Sequence, residues 1–431
     1  MFKILTYYTL TYFTIQLRQK RIDLKLLIAD FVLPCNSSFD IIEQGAVAFD
    51  EAIIEVGSGE DLRLKYPNAT LIQTPPNSVI LPGLINVHVH LEFSANQSTL
   101  HYGDFIPWLQ SVIKHREELS ALATTELIAS KLQEMLKSGT TSLGAISSFG
   151  ADLEACVQTP QRVVYFNEVL GSVPSAVDAM YADFCARFEE SRAFTCKNFT
   201  PAISVHSPYS THPILAKKAL QKARDEGCVV STHFMESQAE RAWMDEGSGD
   251  FQSFFSTFNP HAKPLCEAKE YLALFSHNKT LFTHGVQATE EELSLIAQQD
   301  ATLTHCPVSN RLLGVGSLDM QKVQNHSINL TLGTDGLSSN ISLSLWDEMR
   351  SSLMMHANAQ LDTLSLTLLK SVTCNAANAL NLKVGCLEKG LGADIIVATL
   401  PQPCDIQDVP LHLILQTHHV HMSFINGERH V

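Results

Sequence analysis

Eight short β-like runs, separated by amphipathic helical stretches, constrain this chain more than any other feature. The runs cover 79–90, 140–146, 162–168, 201–206, 229–234, 280–284, 301–306 and 329–335. Helical periodicity falls between them, at 125–137, 214–226, 290–299 and 342–356. Parallel neighbours need a long crossover, so strands alternating with helices imply a parallel sheet. Eight such units suggest closure into a (β/α)₈ TIM-type barrel in the α/β class. Two further β-rich stretches precede the series, at 24–33 and 46–56, each followed by turn-formers. The tail turns β-like again at 394–399 and 419–425, which suggests pairing with the amino-terminal strands in a small second domain.

Composition narrows the class. With 45% hydrophobic and 17% charged residues, the chain is globular in character. A formal net charge of −15 leaves no basic face for a phosphate backbone, so nucleic acid is not expected as a partner. The ten cysteines are scattered singly without a Cys-x-x-Cys pair, as expected of reduced thiols in the cytoplasm. The apolar stretch from Met1 to Gln16 is too short to span a bilayer, and no membrane partner is expected. A basic run over 18–21 follows it where a secretory signal would place a small-residue cleavage site. Residues 1–21 are therefore read as an irregular extension.

Histidines fall at the ends of the runs. His88 and His90 close the first, His206 the fourth, His233 the fifth and His284 the sixth, while Asp335 ends the eighth. In a closed barrel these ends converge on one mouth, where active sites lie. Residues two apart on a strand face the same side, so His88 and His90 can share one ion. An isolated His-x-His is a weak sign; answered from other strand ends, it becomes a strong one. His233 supplies a third nitrogen. Glu236, three residues on, is placed to shuttle protons, although a carboxylate opening a helix is welcome there anyway. Asp335, in Gly333-Thr334-Asp335-Gly336, completes a shell of three histidines and one carboxylate, where it would also accept a proton from water. In isolation it would pass for a turn aspartate. His284 either ligates or stands off to orient the nucleophile. A divalent ion in such a shell lowers the pKa of a bound water to about 7. His305 is read as structural or pocket-lining. The fourth run, Ile203-Ser204-Val205-His206, offers no lysine to bridge a second metal, so one ion is expected. Nitrogen and carboxylate ligands suit zinc and iron alike.

Taken together these residues resemble the amidohydrolase superfamily, in its mononuclear cytosine- and adenosine-deaminase-like branch. The likeness covers about residues 24–427 and includes Gly385-x-Leu387-Glu388-Lys389-Gly390-x-x-Ala393-Asp394. It implies that His88, His90, His233 and Asp335 are metal ligands and that Glu236, His284 and Asp335 are catalytic. It further implies that the small domain is a composite β-sandwich built from both termini, over 22–78 and 385–431, beside a barrel over 79–384. Within the branch the chain is similar to deaminases of adenosine-type nucleosides with altered 5′ groups. Trp108, Glu117, His206 and Ser339 match substrate-binding positions there. Trp108 and Glu117 also fit a core tryptophan and a solvated carboxylate on a helix. Val169-Leu170-Gly171 stands where relatives acting on S-adenosylhomocysteine carry an arginine, which argues against that substrate. The run His233-Phe234-Met235-Glu236-Ser237-x-x-Glu240-x-x-Trp243 resembles the aminofutalosine deaminases of menaquinone synthesis. The resemblance thus implies a small aminopurine nucleoside as substrate, and the exposed flanks of a barrel leave room for a homodimer. Alternatives on the same fold are deamination of methylthioadenosine, adenosine or guanine, dechlorination of a triazine, and a barrel that binds without catalysis.

Overall fold

The computed structural model describes residues 24–95 and 98–431; the extension expected over 1–21 lies outside the described residues. Eight strands form one all-parallel sheet: β1 (Leu84–Val89), β2 (Thr140–Ser147), β3 (Arg162–Val169), β4 (Phe199–Val205), β5 (Val230–Phe234), β6 (Thr280–His284), β7 (Thr302–His305) and β8 (Asn329–Leu332). Each strand pairs with the next in sequence. Helices fill the crossovers and end where their caps dictate. Thr124 accepts the Leu127 amide ahead of Thr125–Lys137, and Thr289 with Glu292 forms a capping box on Glu290–Gln298.

The sheet closes on itself between β8 and β1, through few contacts. The Asp335 amide donates to the His88 carbonyl oxygen at 3.0 Å. The Asn86 side-chain amide donates to the Thr334 hydroxyl at 2.7 Å, and its oxygen accepts the Thr334 amide at 3.3 Å. This seam demands glycine. A Cβ on Gly333 would lie 2.7 Å from His88 Cβ and 2.9 Å from the His88 carbonyl oxygen.

The run expected as a single strand over 79–90 is two strands. Ser78–Pro82 leaves the barrel and pairs antiparallel with Ile395–Thr399, and the barrel strand begins only at Leu84. Pro82-Gly83 marks the break, and Gly83 sits against Thr141, where no side chain fits. Ser78–Pro82 belongs instead to a six-stranded sheet with Phe31–Val32, Ile42–Glu43, Ile395–Thr399, Met422–Ile425 and Glu428–Arg429. A second sheet holds Lys25–Ile28, Gly45–Phe49, Ile53–Ser58 and Thr70–Gln73. Leu27, Val47, Phe49, Ile80, Val397 and Phe424 are buried together between the two, so both ends of the chain supply one core. Arg162, opening β3, fastens this layer to the barrel through two bonds to Asp394 at 2.6 and 3.0 Å. No helix among the described residues is long and apolar enough to cross a membrane.

The tight seam yields a test. Gly333→Ala is expected to cost about 1–3 kcal/mol through overpacking, lowering the thermal midpoint and weakening metal retention together. Unchanged midpoint and metal content would show that the seam tolerates a side chain.

Candidate active site

Alternation along β1 sends Val87 and Val89 outward and both histidines inward. Closure then brings the other strand ends to them. The Nε2 atom of His90 lies 3.2 Å from that of His88 and 3.3 Å from that of His233. The Asp335 Oδ1 atom is 3.5 Å from His90 Nε2 and 3.8 Å from His88 Nε2. His233 donates its Nδ1 proton to the His206 carbonyl oxygen at 2.8 Å, which leaves Nε2 as a bare lone pair. Asp335 is held in turn: Oδ2 accepts the hydroxyls of Ser309 at 2.7 Å and Ser339 at 3.0 Å, and Oδ1 accepts the Gly336 amide at 2.9 Å.

These spacings suit a divalent cation. Two nitrogens at about 2.0–2.1 Å from one ion, at a tetrahedral angle, stand about 3.3 Å apart. Without a cation, His90 Nε2 would face two neighbouring nitrogens with at most one proton to give. His233, His206 and Glu168 also cluster at ligand spacing. His233, however, has only Nε2 left to offer, and that atom already faces His90.

Backbone and electrostatics are unusual at the same ends. His284 (φ 75°), Asp335 (φ 58°) and Met235 (φ 49°) adopt left-handed conformations that non-glycine residues rarely take. Burial, reinforced by neighbouring histidines, holds His88 and His233 well below the usual imidazole range and so neutral. Burial alone would raise Asp335, but the His90 imidazole beside it and the Ser309 hydroxyl outweigh burial and keep the carboxylate ionised. Glu236 moves the other way. Burial, then the charges of Asp335 and Glu240, push it well above the carboxylate range, so it holds its proton. Its Oε1 lies 3.5 Å from His284 Nε2.

A family model described as the amidohydrolase family matches residues 79–429. The chain belongs to this family. Aminodeoxyfutalosine deaminase of Nitratiruptor sp. is 46% identical over 392 residues, which cover 91% of this chain and 96% of that protein. An adenosine deaminase of Helicobacter pylori is 36% identical, covering 94% of this chain and 99% of its own. The crystal structure of H. pylori aminofutalosine deaminase in complex with methylthio-coformycin matches with a TM-score of 0.90 at 34% identity, covering 94% of this chain and 100% of that one.

Of the further residues expected in this amidohydrolase site, three gather at the mouth. His206 ends β4, with its ring 5.0 Å from that of His233 and its Nδ1 bonded to Ser210 Oγ at 2.5 Å. Ser339 is fully buried and spends its hydroxyl on Asp335 and Ser309. Trp108, half-buried on the helix Phe105–Leu122, donates Nε1–H to the Ser338 carbonyl at 2.8 Å. Glu117 differs: it is exposed on that helix, and its carboxylate has no hydrogen-bond or ion-pair partner among the described residues. His305 is buried behind the site.

Four residues were not expected. Ser309 bridges Asp335 and Ser339. Glu240 fixes the turn carrying Glu236 by accepting the amides of Met235 at 2.9 Å and Glu236 at 2.8 Å. Glu168, fully buried at the end of β3, accepts the Ser148 hydroxyl at 2.6 Å; its place at a strand end was the available signal. Asn310 sets the tautomer of two histidines. Its Oδ1 accepts His284 Nδ1–H at 2.9 Å and its Nδ2 donates to His305 Nδ1 at 3.3 Å. His284 therefore turns a bare Nε2 toward Glu236, and that atom has no hydrogen-bond partner among the described residues.

Asn310→Leu frees the His284 ring while leaving the metal-facing nitrogens alone. Turnover is expected to fall about 10–100-fold, as for other partners that orient active-site histidines, with metal content unchanged. Full activity in this variant would remove the orienting role.

Proposed function

We propose that this chain is a hydrolytic deaminase that converts 6-amino-6-deoxyfutalosine to futalosine and ammonia, a step of menaquinone synthesis. The observation that carries the reading is a buried glutamic acid, Glu236, kept protonated beside a histidine cluster suited to one divalent ion. The Nitratiruptor protein named for aminodeoxyfutalosine, 46% identical over nearly the whole chain, supports the substrate. His88, His90, His233 and Asp335 would hold the ion, zinc or iron. When bound, it would activate a water as nucleophile at neutral pH.

The chain's own groups account for the protons. As the water oxygen adds to C6 of the purine, Asp335 takes one of its protons and Glu236 gives its own to N1. His284, through its bare Nε2, fixes the direction from which the oxygen arrives. In the second half Asp335 passes its proton to the amino group, which leaves as ammonia. The remaining hydroxyl proton returns to Glu236 as the C6 carbonyl forms, so both acids end as they began. His206 and Trp108 would line the purine.

A second reading keeps this chemistry on adenosine or methylthioadenosine. It is favoured by the H. pylori relative named adenosine deaminase and by the methylthio-coformycin complex. All ten cysteines are unpaired, which fits a reducing cytoplasmic setting, and a homodimer through the barrel flank is part of the proposal.

The test is ammonia release by metal-loaded protein from aminodeoxyfutalosine, methylthioadenosine, adenosine, S-adenosylhomocysteine and guanine. A strong preference for the first is expected; equal or better turnover of another aminopurine would reassign the substrate. Glu236→Gln is expected to lower turnover by at least about 100-fold with metal retained. Undiminished turnover in that variant would sink its acid role.

A further inference from the structure

The helix Phe105–Leu122 touches two of the loops that follow barrel strands. Near its start Trp108 is tied to Ser338 in the loop after β8, and two turns on Arg116 meets Phe149 in the loop after β2. Strand β1, with its two histidines, lies between those strands, so the helix bridges the loops on either side of it. The Arg116 guanidinium sits 4.9 Å from the centre of the Phe149 ring. Both side chains are exposed, Phe149 by 45%. No carboxylate among the described residues pairs with Arg116.

The Phe149 loop is fixed rather than draped. Glu92, two residues after His90, accepts the amides of Ser148 at 2.7 Å, Phe149 at 3.1 Å and Ala151 at 2.8 Å. Backbone bonds thus fix the main chain that carries the Phe149 ring. A flat ring beside a guanidinium offers two matched contacts. The ring stacks on another aromatic face, and the guanidinium takes a carboxylate through paired N–H bonds.

We infer that Arg116 and Phe149 form the subsite for an aromatic carboxylate carried on the 5′ side of the nucleoside. This rests on the nucleoside-deaminase reading above and assigns its discrimination to two residues. Aminodeoxyfutalosine bears a carboxyphenyl group on that side; methylthioadenosine bears a neutral thioether. The subsite leaves the reacting ring untouched, so its loss acts on binding and not on the chemical step.

The experiment compares the metal-loaded wild type with Arg116→Gln, Phe149→Ala and, as a charge control two residues away, Lys114→Gln. KM and kcat are measured for aminodeoxyfutalosine and for methylthioadenosine, the latter as substrate or as competitive inhibitor. Arg116→Gln is expected to raise KM for aminodeoxyfutalosine about tenfold or more, with kcat and methylthioadenosine binding unchanged. Phe149→Ala should raise it several-fold in the same selective way, and Lys114→Gln should not. Equal effects on both ligands, or none on either, would overturn the subsite while leaving the deaminase intact. A wild type with no preference for the carboxylated nucleoside would remove the underlying reading as well.

Discussion

The hydrogen bond from the Asp335 amide to the His88 carbonyl oxygen joins the last barrel strand to the first, and the site depends on it. It places a carboxylate from the end of the eighth strand within 4 Å of two imidazoles from the end of the first. Little else bridges the two strands directly, apart from the bonds between Asn86 and Thr334. Glycine at 333 lets the backbones approach closely enough, and a left-handed Asp335 turns its side chain inward. Strain of this kind persists only where the surroundings hold it in place. Here Ser309, Ser339 and the Gly336 amide do so.

The same geometry sets the electrostatics. Burial keeps the rings of His88 and His233 neutral beside the ionised carboxylate of Asp335. Such a set is poorly satisfied by itself and well satisfied by a cation, so metal binding and barrel stability are linked. One more buried carboxyl close by, Glu236, faces that negative charge and stays protonated. Two acids with opposite protonation states, an arm's length apart, are what a reaction that moves protons both ways needs.

Much of this was legible in the residues because barrel closure converts strand ends into neighbours. His88 with His90, His233 and Asp335 end three separate runs, so the (β/α)₈ expectation alone predicted their meeting. The helices 125–137 and 290–299 were found within a residue, since their caps are local signals. The split of the run 79–90 was harder to see. Its apolar residues suit either sheet equally, and only Pro82-Gly83 hints at the change of partner. Ser309 and Asn310 were missed because they act from the short helix after β7 and show no periodicity or motif of their own. Glu117 has the residue type expected of a ribose contact, yet lies on the exposed face of its helix. Its position along the helix was readable, but the direction of its side chain was not.

The most direct measurement is a titration of metal-stripped protein with zinc or iron(II), following ammonia release from aminodeoxyfutalosine. The account predicts no release without metal and a linear rise that ends at one equivalent per chain. Saturation at two equivalents would contradict the single shell built on His233, and no release at any loading would contradict the deaminase itself.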